Sequence, residues 1–178
     1  MSTMTPDMTP EQALFLRDFL LSGNSDFATT KKVLAAIPED RSDYRPDPKA
    51  RTARELAWHI ISSELHFLDS IAQGVQVGGE DLPTENRSLA EMIAFYETSF
   101  TAGLEKLRNL SGEQLAKPFK MYEVFNFPAV SYLTFLQHHT IHHRGQLSVY
   151  LRPMGAKVPS IYGPSADETW GSDEAMSA

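Results

Sequence analysis

The chain has 178 residues and no cysteine. That excludes disulfides, thiolate metal sites and a cysteine nucleophile. Any sulfur nucleophile would have to come from a cosubstrate. No apolar run approaches the ~18–20 residues that a membrane span needs, so no membrane partner is expected. The opening residues, MSTMTPDMTP, lack the basic start and apolar stretch of a signal peptide, and the expected location is cytoplasmic. Positive charge is scarce, with 16 Lys and Arg against 23 Asp and Glu and a net charge of −7. Without a basic cluster, the electrostatic footprint of a nucleic-acid binder is missing. No repeat or low-complexity stretch interrupts the chain. What is present is ordinary for a globular protein: 42% hydrophobic and 22% charged residues. The length suits one domain over residues 1–178.

Four long helical patterns organise that domain. The first runs from about Pro10 to Ile37, with Leu14, Leu16, Phe19, Leu20, Phe27, Val33, Leu34 and Ile37 on its apolar side. Ser22, Gly23 and Asn24 weaken its middle and favour a kink there. Residues 40–50, with Pro46 and Pro48, read as an extended connection. The second helix opens on the capping-box spacing of Thr52 and Glu55 and ends at Gly74. A Gly-rich loop leads to a second such box, Ser88 and Glu91, and a third helix to about Leu110. Ser111 and Gln114 suit a short turn, and KPFKMYEVFNF leaves room for a short hairpin. Pro128 suits the first turn of a fourth helix, which continues to Met154 and stops at Gly155. The expectation is an all-α four-helix bundle, core about 10–155, with an irregular C-terminal tail over 156–178 that is mobile beyond Thr169.

Four of the six histidines fall within His138–His143. On the fourth helix the series Tyr132, Leu136, His139, His143, Leu147, Tyr150 advances by fours and threes, the period of a buried stripe. His139 and His143 are one turn apart on that stripe, so one ion can bridge them. His138 and His142 form a second pair, rotated toward the stripe's edge and expected to be partly exposed. Two neutral imidazoles in a bundle core are costly unless something satisfies them, and two protonated ones repel. A divalent cation resolves both problems. A third ligand must come from His59 or His66, seven apart on the second helix, and periodicity does not choose between them. Glu64 falls near the middle of that helix's apolar stripe. It can serve as a fourth ligand, as hydrogen-bond support to a ligating imidazole, or in a structural ion pair.

The order His139-x3-His143-Arg-Gly-Gln on the last helix, with Trp58-His59 after the run Arg-Glu-Leu-Ala, resembles the DinB family. The stretches YRPDPKARTARELAWHI and VPSIYGPSADE are similar to one branch of it. The resemblance covers about Pro10 to Gly155. It implies a DinB-type four-helix bundle, commonly a homodimer, with three histidines on one divalent metal and water in the open positions. Carried over position by position, the ligands are His59, His139 and His143, which selects His59 over His66. The family's name reflects damage-inducible expression, and some members are transferases or isomerases that use a low-molecular-weight thiol.

Three imidazoles with an open position make a catalytic type of site, fitting a divalent transition metal: zinc or nickel first, iron or manganese next. Such an ion activates a bound water or thiol near neutral pH. A zincin is disfavoured, because Thr140 stands where H-E-x-x-H needs Glu. Gln146, one turn beyond His143, either orients a ligand or bonds a neighbouring helix. Arg144 is expected in a surface or interface ion pair, Gly145 at a close helix approach, and Gly145 and Gly103 at dimer contacts. Tyr44, Tyr122 and Tyr162 lie in connections near the pocket mouth. The leading expectation is a metal-dependent enzyme, a thiol-dependent S-transferase or a hydrolase, acting on a small-molecule substrate. The alternatives are a non-catalytic metal-binding stress-response protein or small-ligand binder, and an interaction module with structural histidines.

Overall fold

The computed structural model describes residues 7–22, 25–78 and 87–169. The elements are α1 (Pro10–Ser22), α2 (Ser25–Ala35), α3 (Ala53–Gln73), α4 (Leu89–Arg108), the short α5 (Gly112–Ala116), β1 (Pro118–Met121), β2 (Phe125–Pro128) and α6 (Tyr132–Leu151). Single 3-10 turns occupy Glu39–Arg41 and Ala129–Ser131. The first expected helix is thus two helices. The proposed kink at Gly23 and Asn24, the Gly-rich loop over 79–86 and the tail after Thr169 lie outside the described residues.

Local chemistry sets the helix ends. The side chains of Thr52 and Ser88 each accept a backbone N–H from the glutamate three residues on, and those glutamates answer the cap's own N–H. Ser111 and Gln114 repeat the device on α5. Gly74 closes α3 at φ 66°, a left-handed cap that a Cβ would disfavour. The 111–127 region holds α5 and an antiparallel hairpin, pairing Pro118 with Pro128 and Met121 with Phe125. Pro128 therefore ends a strand, and the last helix starts at Tyr132. The Tyr132 hydroxyl ties the hairpin to α6 by donating to Phe119 O and accepting from Phe127 N.

The core forms where α3 packs against α4 and α6, with α2 closing the fourth side. Leu56, Ile60, Leu68, Ile71, Met92, Tyr96 and Leu107 fill it. Gly103 is a close-approach residue, but within the chain: a Cβ there would meet Leu68 at 2.8 Å. It is thus unavailable for the expected dimer contact. Gly145 is exposed, with nothing within 4 Å of its Cβ position among the described residues, so no close helix approach among them explains it. Phe19 is also corrected. It sits beside Phe15 on the outer side of α1, 65% exposed, because Ala13, Leu16 and Leu20 take the inward side.

Residues 156–169 have no helix or strand, but hydrogen bonds pin them. Val158 N donates to Asp167, Ser160 N donates to Glu168, and the Tyr162 hydroxyl donates to Asp26 on α2. Among the described residues, no helix is long and apolar enough to cross a membrane.

Candidate metal centre

Helix α3 contributes His59, and α6 contributes His139 and His143. All three are half-buried, and each offers a ligand atom within 4.8 Å of the others'. The His59 and His139 Nε2 atoms are 3.1 Å apart. Two metal–nitrogen bonds of about 2.0–2.1 Å meeting at one ion put their nitrogens roughly 2.9–3.4 Å apart. The residues present therefore fit a divalent transition ion. The ring centroids of His143 lie 4.7 Å from His59 and 4.4 Å from His139.

Each ring is oriented differently. His143 Nδ1 is 3.0 Å from Gln146 Oε1. An amide oxygen only accepts, so Nδ1 carries the proton and the Nε2 lone pair is available. His59 Nδ1 is 3.5 Å from Ser63 Oγ. His139 Nδ1 is buried with no hydrogen-bond partner among the described residues. Burial pushes His139 down to about 3, helped by the positive charge that His143, His59 and His142 can carry. Burial also lowers His143, against the hydrogen bond that its ring donates to Gln146. Neutral rings with exposed lone pairs at pH 7 are what a metal requires.

The other sequence candidates divide. His138 and His142 are exposed. His66 stands apart from the cluster, with its ring against Phe67 and Tyr122. Glu64 is buried, but it is not one of the clustered ligands. Its two oxygens accept from the Tyr96 hydroxyl at 2.5 Å and the Thr140 hydroxyl at 2.7 Å. Burial raises it to about 7, against those two hydrogen bonds. Through Thr140 it is tied to α6 one residue from His139, and in the chain it follows Ser63, which contacts His59.

Arg144 corrects the expectation of a surface pair. It is 1% exposed and is held by the Asp26 carboxylate and carbonyl, Thr30 and the Tyr162 hydroxyl. The buried centre of α6 accordingly runs through Leu133, Thr140, Arg144, Leu147 and Leu151, with the ligand imidazoles at its edge. Tyr162 thus braces Arg144. Tyr44 packs edge-on to Tyr150, and Tyr122 faces His66. Sequence reasoning missed Ser63, Tyr96, Thr140 and Asp26. Ser63 was findable, four residues after His59, and Thr140 was findable beside His139. Asp26 carried no local signal.

Comparison with known proteins agrees with this architecture. A sequence model of the DinB family matches residues 11–174. The chain is 27% identical over 154 residues to the uncharacterized protein YrdA of Bacillus subtilis, covering 86% of this chain and 91% of that one. It is 28% identical to YjoA of the same organism over 128 residues, covering 71% and 82%. The crystal structure of YjoA, a DinB-like protein, superposes with a TM-score of 0.65 at 25% identity, over 81% of this chain and 95% of that one. A DinB-like protein from Bacillus cereus gives 0.68 at 26%, with the same coverage. With the family model covering nearly the whole bundle and both crystal structures sharing its fold, this chain belongs to the DinB family.

Proposed function

We propose that the protein is a metal-dependent enzyme of the thiol-dependent S-transferase or hydrolase type, holding one divalent transition metal on His59, His139 and His143. The observation that carries the reading is the convergence of three half-exposed imidazoles from two helices, with two Nε2 atoms 3.1 Å apart. Three neutral protein ligands leave coordination positions for water and substrate. When bound, the ion supplies Lewis acidity that lowers the pKa of a coordinated water or thiol. The chain's own residues present the lone pairs. Gln146 fixes the His143 tautomer, and Ser63 stands at the outer nitrogen of His59. With no cysteine in the chain, a sulfur nucleophile arrives with a low-molecular-weight thiol. The proposal places the enzyme in the cytoplasm as a single-domain homodimer, zinc or nickel being the first choice of metal. Screening the metal-loaded chain with paired thiols and electrophiles tests it. Turnover that disappears in His139→Ala is expected. Full metal loading without turnover on any pair would favour the binder reading.

That second reading has one observation of its own. A cavity of about 70 Å³ lies among Leu20, Phe27, Phe100, Leu133 and Leu136, with Asp26, Glu64, Gln137 and Thr140 on its wall. Apolar walls with a few polar groups are how small ligands are held, and this volume restricts the occupant to a very small one.

A further inference from the structure

The metal centre makes no use of two features that meet at one place. The first is His66, two turns beyond His59 on α3 and so about 10 Å along the helix axis. Its Nε2 is shut off from solvent and has no hydrogen-bond partner among the described residues. Buried polar atoms are normally paired. The second is the hairpin tip. Tyr122 and Glu123 have φ of 53° and 55°, the left-handed region that side chains with a Cβ avoid. Gly, Asn or Asp usually fill such positions. Here the turn is held by Tyr122 N donating to Gln76 Oε1 at 2.6 Å, and it sets the Tyr122 ring 5.9 Å from that of His66. From His66 a row of rings returns to the metal centre, with Phe67 5.9 Å from His66 and 6.2 Å from His139.

We propose that His66 and Tyr122 are the far anchor of the substrate site, binding an oxygen acceptor of the carboxylate class about 10 Å from the atom held at the three imidazoles. An incoming oxygen gives the orphaned Nε2 its partner, with the Tyr122 hydroxyl as a second donor. The strained tip is maintained because it holds the phenol over His66. Tyr122 is 48% exposed at a hairpin end, so it can yield as the group enters. Lys120, paired with Glu123 at 3.8 Å, offsets the negative charge of the tip. The inference rests on the metal reading above and adds the length and polarity of the substrate.

The test uses the cobalt-loaded full chain and ω-mercaptoalkanoates of increasing length, read by thiolate-to-cobalt absorption. 2-Mercaptoethanol is the probe too short to reach the anchor. In the wild type, affinity should climb with chain length by about tenfold, the effect of one good charge-assisted hydrogen bond. Tyr122→Phe and His66→Phe should each remove most of that gain. His66→Gln, which keeps an N–H donor, should retain it, and 2-mercaptoethanol should bind all four proteins alike. A flat wild-type series, or a gain that survives both phenylalanine variants, overturns the anchor while leaving the metal reading intact. Failure of cobalt uptake, or of 2-mercaptoethanol to change the spectrum, overturns the metal–thiol reading and the anchor with it.

Discussion

Removing Asp26 should destabilise the protein more than removing Arg144, although the two residues form one ion pair. The pair is asymmetric: the Arg144 side chain is 1% exposed and that of Asp26 27%. In Arg144→Met every former partner keeps a bond. Thr30 Oγ1 still donates to Asp26 O, and Tyr162 and Gln137 still donate to the Asp26 carboxylate, which solvent also reaches. Methionine occupies much of the guanidinium's volume, so the cost should stay near 1 kcal/mol. In Asp26→Ala the buried guanidinium loses the carboxylate paired with it. Breaking a buried pair from one side costs about 3–5 kcal/mol, and partial exposure of Asp26 brings the expectation to the lower end. The double variant should cost little more than Arg144→Met alone, a coupling of about 3 kcal/mol. Urea unfolding of the metal-free chains, compared at constant m-value, measures all three. Acid should erase the difference. Burial pushes the Asp26 carboxyl up, but hydrogen bonds from Tyr162, Arg144 and Gln137 outweigh it and hold it below its ordinary value. A carboxyl lowered on folding contributes stability above its unfolded pKa and loses it as pH falls through the folded one. An Arg144→Met loss equal to the Asp26→Ala loss, or additive behaviour in the double variant, would refute this reasoning.

Three further outcomes follow from the same geometry. Glu64 is raised on folding to about 7, from an ordinary 4.5. Its contribution is therefore full below the unfolded pKa and is lost as pH rises through the folded one. Glu64→Gln should gain on the wild type between pH 4.5 and 8 by up to about 3 kcal/mol, and a pH-independent gap in paired denaturation curves would contradict it. Gln146→Leu removes the acceptor that orients His143, and competition with a chromophoric chelator should show metal affinity falling about 10- to 100-fold; unchanged affinity would leave Gln146 no part in the site. Glu123→Gly relieves a left-handed residue and should raise stability by about 1 kcal/mol in urea, whereas a loss would mean that the glutamate side chain itself supports the turn.

The elements of the bundle were readable because their signals are local. Capping boxes at Thr52, Ser88 and Ser111 mark helix starts within four residues, and Gly74 marks an end. The pairing of His139 with His143 is likewise a one-turn pattern. The choice of His59 over His66 needed family resemblance, because both lie on one face of α3. The misreadings share a physical cause. Periodicity treats arginine and threonine as outward residues, so Thr140 and Arg144 were not recognised as the buried centre of α6. What permits their burial is distant: Glu64 lies 76 residues from Thr140, and Asp26 lies 118 from Arg144. The strained tip at Tyr122 and Glu123 was equally hidden, since neither residue type signals a left-handed conformation.

Metal content of the purified chain and its histidine variants tests the central claim most directly. Elemental analysis should find about one divalent transition metal per chain in the wild type, His138→Ala and His142→Ala. It should find little in His59→Ala, His139→Ala and His143→Ala, with helical content unchanged by circular dichroism. Equal metal content in all five variants, or none in the wild type after reconstitution, would contradict a metal centre built on His59, His139 and His143.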